Sequence, residues 1–440
     1  MKQYHIFTTI LAASISITAF AENESTVIET EKLHKEEIET NNISKALFTE
    51  ENTNNDVKYD MENGVIPIAD NRGFSLQSKD GNFILKPYLM LQTLMNYNYY
   101  DDEGLDKAYN QDNIANSGFS IPFGIIGFTG KAFGKVDYNV SVNAAASGGA
   151  ILQQAWIDYA IKPELRFRVG KQKTPFTGAF ATTLGETLFP QTPISLSATT
   201  IMPYSLNAIN PAISTGWDLG VKMHGLINNK WGYEVGIFNG TGGSINNATK
   251  GFSDDNHLPS LLYAGRITYQ GNGAMPMTQG NPNLIKPETK YLVGLSVNWN
   301  NEAEYESTND FRTGLEFALL SGKWSLAAEC YYMNVSFTHR QKINESYNFW
   351  GAYGQIGYFV AQNWQLGARY DWMDRNGNQK DGSINLPSVV CNYFVPKTNI
   401  KISAMYQYMG RWGHDTQLDR DLDDLGLATH QACIMLQYAF

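Results

Sequence analysis

The sequence predicts an all-β chain folded as a transmembrane antiparallel β-barrel of about sixteen strands, with a long inward-folding loop. Three observations carry that expectation. The composition is poor in charge and rich in aromatic residues and glycine, stretch after stretch alternates with period two, and tight turns alternate with long polar loops. Charged residues make up 17% of the 440, well under the roughly 25% of an average soluble domain. The mean hydropathy of −0.32 in turn excludes a bundle of apolar membrane helices. A net charge of −10 and an isoelectric point near 5.3 leave no basic face for nucleic acid, and no nucleic-acid partner is expected.

Residues 1–21 read as a secretory signal peptide. Lys2 supplies the positive start, Ile6 to Ile17 is apolar but too short to span a bilayer, and Ala19-Phe20-Ala21 is a cleavage site. Residues 22–60 hold 11 acids against four lysines, a net of −7. Ile28, Leu33, Ile38 and Ile43 recur every five residues, which fits neither a helix face nor a heptad. Residues 22–80 are therefore expected to be an acidic, mostly disordered periplasmic segment, and 81–440 the barrel domain.

Alternating stretches fall at 83–100, 117–132, 135–147, 151–162, 165–174, 216–227, 231–240, 261–271, 289–299, 310–321, 324–336, 348–361, 364–374, 383–394, 399–411 and 429–440. An even number of segments about 10 residues long is the pattern of a bacterial outer-membrane barrel. Gly134-Lys135, Lys162-Pro163-Glu164, Asn228-Asn229-Lys230, Ser321-Gly322-Lys323, Ala361-Gln362-Asn363 and Pro396-Lys397-Thr398 are tight turns on one side. Polar loops 101–116, 175–215, 241–260, 300–309, 337–347, 375–382 and 412–428 lie on the other. Two connections break the rule: 148–150 is short where a loop is expected, and 272–288 is long where a turn is expected. Three of the turns lead straight into Trp231, Trp324 and Trp364, which places an aromatic girdle at the periplasmic interface. The last stretch puts His430, Ala432, Ile434, Leu436, Tyr438 and Phe440 on one face, and its terminal aromatic resembles the assembly signal of outer-membrane barrels.

Backbone groups in hydrocarbon must all be paired, so strands survive there only in a closed sheet. Sixteen strands leave a water-filled lumen. Alternation then sorts the faces. In 216–227, Trp217, Leu219, Val221 and Met223 point to lipid while Asp218, Lys222 and His224 point inward; in 231–240, Trp231, Tyr233, Val235 and Ile237 point out and Glu234 in. The inward bases are Lys86, Arg166, Arg168, Lys222, Arg266, Arg312, Arg369 and Lys401; the inward acids are Asp137, Asp158, Asp218, Glu234, Glu316, Glu329 and Asp371. Water inside explains charges on these strands, because mid-depth on the lipid face a Lys or Arg costs roughly 2–4 kcal/mol.

Neither catalysis nor a resident cofactor or metal is expected. Cys330, Cys391 and Cys433 are widely spaced and fit no metal site or disulfide framework. The Asp419–Asp424 run has Asp424 where a calcium loop needs Gly and His430 where it needs Glu. His224 is six residues from Asp218, about 20 Å along a strand, and His339 and His414 lie in loops without a nucleophile motif.

The stretch Phe167-Arg168-Val169-Gly170-Lys171-Gln172-Lys173-Thr174-Pro175-Phe176, then Leu188-Phe189, then Trp217-Asp218-Leu219-Gly220-Val221-Lys222-Met223-His224-Gly225 resembles the phosphate-selective porin O and P family. The resemblance implies a homotrimeric outer-membrane channel whose third long loop, here 175–215, folds inward. Between Phe176 and Thr215 that loop carries no base, and its one charge is Glu186, the expected constriction residue. Lys171 and Lys173 are expected at the outer rim, facing water or lipopolysaccharide. The eight-to-seven balance of lining charges points to passive passage of small hydrophilic solutes and ions with weak selectivity. An anion- or phosphate-selective porin is the alternative, and an adhesin or structural barrel with an occluded lumen is the alternative of another class. The expected partners are outer-membrane lipids, lipopolysaccharide and the permeant solutes.

Overall fold

The computed structural model describes residues 64–70, 73–100, 114–145, 152–196, 216–240, 261–280, 282, 288–301, 307–337, 346–374, 377, 383–412 and 429–440. The expected signal peptide at 1–21, the acidic 22–60 stretch, residues 197–215 of the long loop, the short link 148–150, His339, His414 and the Asp419–Asp424 run lie outside them.

Sixteen strands form the wall: β3 (Ile84–Tyr100), β4 (Ile114–Ala132), β5 (Val136–Asn143), β6 (Leu152–Lys162), β7 (Leu165–Lys173), β8 (Trp217–Ile227), β9 (Trp231–Phe238), β10 (Leu262–Gly271), β11 (Lys290–Asn301), β12 (Ser307–Ser321), β13 (Trp324–Phe337), β14 (Ser346–Ala361), β15 (Trp364–Asp374), β16 (Ser383–Phe394), β17 (Ile400–Tyr408) and β19 (His430–Ala439). Each pairs antiparallel with the next in order. The last then pairs with the first, from His430 opposite Tyr99 to Ala439 opposite Met90, so the sheet closes and no wall strand keeps an open edge. The short β18 (Gly410–Trp412) continues the line of β17 beside β16. Each alternating stretch of the sequence corresponds to one wall strand, and the irregular connections conceal no miscounted strand.

The two faces differ as hydrocarbon and water require. Outward positions carry Leu219, Val221, Val235, Ile237, Ile267, Val293, Leu295, Leu315, Ile356, Val389, Ile434 and Leu436, all exposed, and the positions between them are buried. The three turn-following tryptophans sit on the outer face, each against a tyrosine directly across the ladder. Ring centroids are 5.0 Å apart for Trp231–Tyr269, 4.3 Å for Trp324–Tyr358 and 4.6 Å for Trp364–Tyr393. Cross-strand register thus turns isolated tryptophans into girdle pairs.

One element outside the wall is not legible in the alternation. β1 (Val65–Asp70) and β2 (Gly73–Ser78) form a hairpin, and β2 pairs with the start of β3 through Leu76–Leu85 and Gln77–Ile84. Both strands are short and Pro67 sits inside one, which weakens any strand signal. Gly73 has φ +118° and abuts the ring of Phe440, so β2 begins where β19 ends. In the turn to β3, hydrogen bonds from Ser78 and Asn82 hold the Asp80 carboxyl below its usual range.

Candidate functional site

Strand register builds a ladder of charged and polar side chains on one half of the inner wall. Asp158 faces Arg168, Arg166 faces His224, His224 faces Glu234 and Glu234 faces Arg266. Fully shielded from solvent, Asp158 receives Arg166 Nε at 3.0 Å and Arg168 Nε at 2.8 Å, and it hydrogen-bonds His224 Nε2 at 2.7 Å. The guanidinium of Arg166 reaches Asp137 as well, and that of Arg168 lies 3.8 Å over the Trp156 ring. Lys222 Nζ donates to Glu234 at 2.6 Å; Arg266 spans Glu234 at 3.1 Å and grips both oxygens of Glu316 at 2.7 and 3.0 Å. Charge-assisted bonds between neighbouring strands make β5–β10 and β12 one cross-braced electrostatic unit. His224 points inward as alternation predicts, but its partner Asp158 lies on β6, across β7, and only register reveals it.

The other half of the wall meets the long loop. Residues 174–196 leave the top of β7 and enter the barrel, carrying the single helical turn α1 (Gly178–Ala181) and a 3₁₀ turn at Leu184–Glu186. Phe176, Phe180, Ile194 and Leu196 pack with the inward side chains Tyr331, Met333, Phe349, Met373 and Leu386; Leu188 and Phe189 pack with Leu94, Val390, Met405 and Met435. That packing explains a loop without bases: its residues cover an apolar inner patch. Polar anchors fix it. Glu329 accepts from Ala179 N–H at 2.6 Å, and Asp371 accepts from the Ile194 and Ser195 N–H groups. Arg369 donates to Gln191 O at 2.7 Å, Asn392 to Leu188 O at 2.9 Å and Lys401 to Thr187 O at 2.9 Å. Gln437 donates to Gly185 O at 3.1 Å. Lys401 is the second residue of β17, and Gln437 lies three residues from the chain's last, so the loop descends almost to the periplasmic rim. At Gly178 a Cβ would lie 2.5 Å from Glu316 Oε2, so a side chain there displaces the carboxylate that Arg266 grips.

The overlong connection after β10 also enters the lumen. Gln279 N–H donates to Glu186 O at 2.7 Å, and its side-chain oxygen accepts from Leu188 N–H at 3.2 Å and Gln355 Nε2 at 2.7 Å. Its backbone carbonyl accepts from Ser325 Oγ at 2.9 Å and Gln365 Nε2 at 3.1 Å. Thr278 Oγ1 donates to Glu186 Oε2 at 2.6 Å. Glu186, the one charge expected at the constriction, thus meets this connection. Gln365, Asn392 and Gln437 escape a reading of charges alone, since an amide on an alternating strand gives no distinctive signal, and Gln279 escapes it because it lies in a connection between strands.

The remaining expected lining residues divide. Arg312 is 1% exposed on β12, and Lys86 is half-buried near the start of β3. Asp218 is buried, but it accepts from Gly240 N–H and Leu219 N–H and so ties the ends of two strands together. Two expectations are corrected. Trp217 does not face lipid: it is 7% exposed and packs edge-on against Phe180, because the entering loop covers the top of β8. Lys173 does not sit at an outer rim. Its Nζ donates to Phe180 O at 2.5 Å and Thr182 O at 3.5 Å and lies over the Phe180 and Trp217 rings, where a cation satisfies the carbonyls ending α1.

Solved structures to which the chain is similar include three bacterial outer-membrane proteins. The OmpF porin of Salmonella typhi, in complex with daunomycin, is similar at 12% identity and TM-score 0.50, over 82% of this chain and 98% of that one. The outer-membrane channel DcaP of Acinetobacter baumannii gives 13% identity and TM-score 0.48, over 83% and 99%. OmpT of Vibrio cholerae in its trimer form gives 11% identity and TM-score 0.48, over 81% and 99%. No curated protein sequence matches. The family model for the phosphate-selective porins O and P matches residues 92–440, from the first wall strand to the last residue. With a closed sixteen-strand wall, an apolar exterior and a loop seated in the bore, the chain is an outer-membrane porin and belongs to the phosphate-selective porin O and P family.

Proposed function

We propose that this porin passes small hydrophilic solutes passively, prefers anions of the phosphate class, and works as a homotrimer. The family match over 92–440 carries the reading. Lys173, Arg369 and Lys401 all point at the base-free loop, and each donates to its neutral backbone carbonyls. A carbonyl orients a cation without cancelling its charge, and the carboxylates of Glu329 and Asp371, held by loop N–H groups, oppose these bases, so the anion preference rests on the family match. The wall formed by β5–β10, opposite the loop's anchors, is the charged side of the passage, with Asp137, Arg166, Glu234 and Arg266 as its lining and Asp158, Arg168 and Lys222 buried among them.

The ladder also favours a second reading. Arg166, Arg168, Lys222 and Arg266 are each matched to carboxylates, which argues for weak selectivity of either sign. Reversal potentials of the purified trimer in planar bilayers under a potassium chloride gradient separate the two. A potential of anion sign, with chloride current reduced as phosphate is added, is the expected result. A potential near zero with no phosphate effect would replace it with the weakly selective channel.

A further inference from the structure

We infer that the periplasmic connection 272–280 is a second constriction element, which sets the size limit of the pore from below and locks the inserted loop in place. The other described turns on that side are short: Phe133-Gly134-Lys135, Pro163-Glu164, Asn228-Asn229-Lys230, Gly322-Lys323, Gln362-Asn363 and residues 395–399 simply join their strands. Among the described residues on that side, the connection between β10 and β11 is the one that leaves the rim and turns inward. Its sequence suits an interior position, since Ala274-Met275-Pro276-Met277 is apolar and Met275 and Thr278 are each 5% exposed. Met275 N–H is held by Gln270 Oε1 at 2.7 Å and Ala274 O by Lys290 Nζ at 3.0 Å, which fixes both legs of the turn to the barrel floor.

From there the connection touches the loop at two places. The Met277 methyl comes within 3.6 Å of a Cβ built on Gly178, so it abuts α1. Thr278 and Gln279 grip Glu186 and Leu188 of the second turn. Gln279 is the hub, for its backbone and side-chain groups are shared among the loop, Ser325 on β13, Gln355 on β14 and Gln365 on β15. Between the connection, α1 and β12–β14 remains a cavity of about 30 Å³, the room of a water molecule, lined by Thr278, Gln279, Glu316, Ser325, Glu329 and Gln355. The two inserted segments therefore meet with almost no space between them and close one side of the bore together. A solute passing the loop passes this connection at the same level.

The inference goes beyond ion preference, and its test reads neutral solutes so that failure of either idea is distinguishable. Replace residues 272–288 with the two-residue turn Gly-Lys found at 322–323, and measure single-channel conductance together with liposome swelling over a series of neutral sugars. The expected result is a conductance increase of roughly two-fold or more and entry of larger sugars. If the shortened chain does not assemble, Gln279→Ala with Thr278→Val keeps the backbone and removes the side-chain grip. That variant is expected to raise conductance in the same direction and to increase open-channel current noise, because Glu186 and Leu188 lose their side-chain bonds to the connection. Wild-type conductance and the wild-type sugar limit in whichever variant assembles would overturn the inference.

Discussion

Asp158 illustrates how a single side chain governs the charged half of the wall. It lies at zero exposure between Arg166, Arg168 and His224, and its carboxylate compensates two guanidinium groups. Taking one partner out of a buried ion pair leaves the other charge uncompensated, at a cost of about 3–5 kcal/mol. Asp158→Asn is therefore expected to lower stability by that order in urea unfolding and to move the reversal potential toward anions. Gly178 acts through absence: its missing Cβ lets α1 lie against Glu316, and the Ala179 N–H reaches Glu329. Gly178→Val is expected to push the loop off that wall, visible as noisier single-channel current with little loss of barrel stability.

At the level of elements, strand pairs and the loop follow different rules. Strands are fixed by two-sided patterning, and a charge on the wrong face is penalised. Leu295, 42% exposed midway along β11, faces hydrocarbon, so Leu295→Arg is expected to destabilise the barrel by roughly 2–4 kcal/mol in vesicle unfolding titrations. The girdle pairs are milder. Trp324→Ala removes the Tyr358 contact and is expected to cost about 0.5–1.5 kcal/mol beyond the lost burial. The loop is held otherwise, by an apolar underside against β13–β17 and backbone groups bonded to wall side chains. It behaves as core rather than as surface.

Across the whole molecule, barrel closure and the two inserted segments divide the bore into unlike halves. One half of the wall is self-neutralised by ion pairs; the other is roofed by loop and connection. Transport by such a body is a matter of cross-section first and field second. The proposed homotrimer predicts three chain masses for the detergent-purified protein in native mass spectrometry; a single chain mass would remove trimerisation from the reading.

Period-two alternation alone determined the strand number, the order of the wall and its sidedness, because every second residue must answer to hydrocarbon and its neighbours to the interior. The residues Phe167–Phe176 and Trp217–Gly225 carried the family likeness. Which ionic groups meet was not legible: His224 and Asp158 are 66 positions apart, and only the stagger of neighbouring strands brings them within 2.7 Å. The interior segments were equally hidden. A connection's length marks 272–288 as unusual, but whether it hangs below the barrel or enters it depends on whether Gln355, Gln365 and Ser325 line up to receive Gln279. Local sequence fixes where a backbone can pair with its neighbour, while partners contributed by strands far apart in the chain exist only once the cylinder has closed.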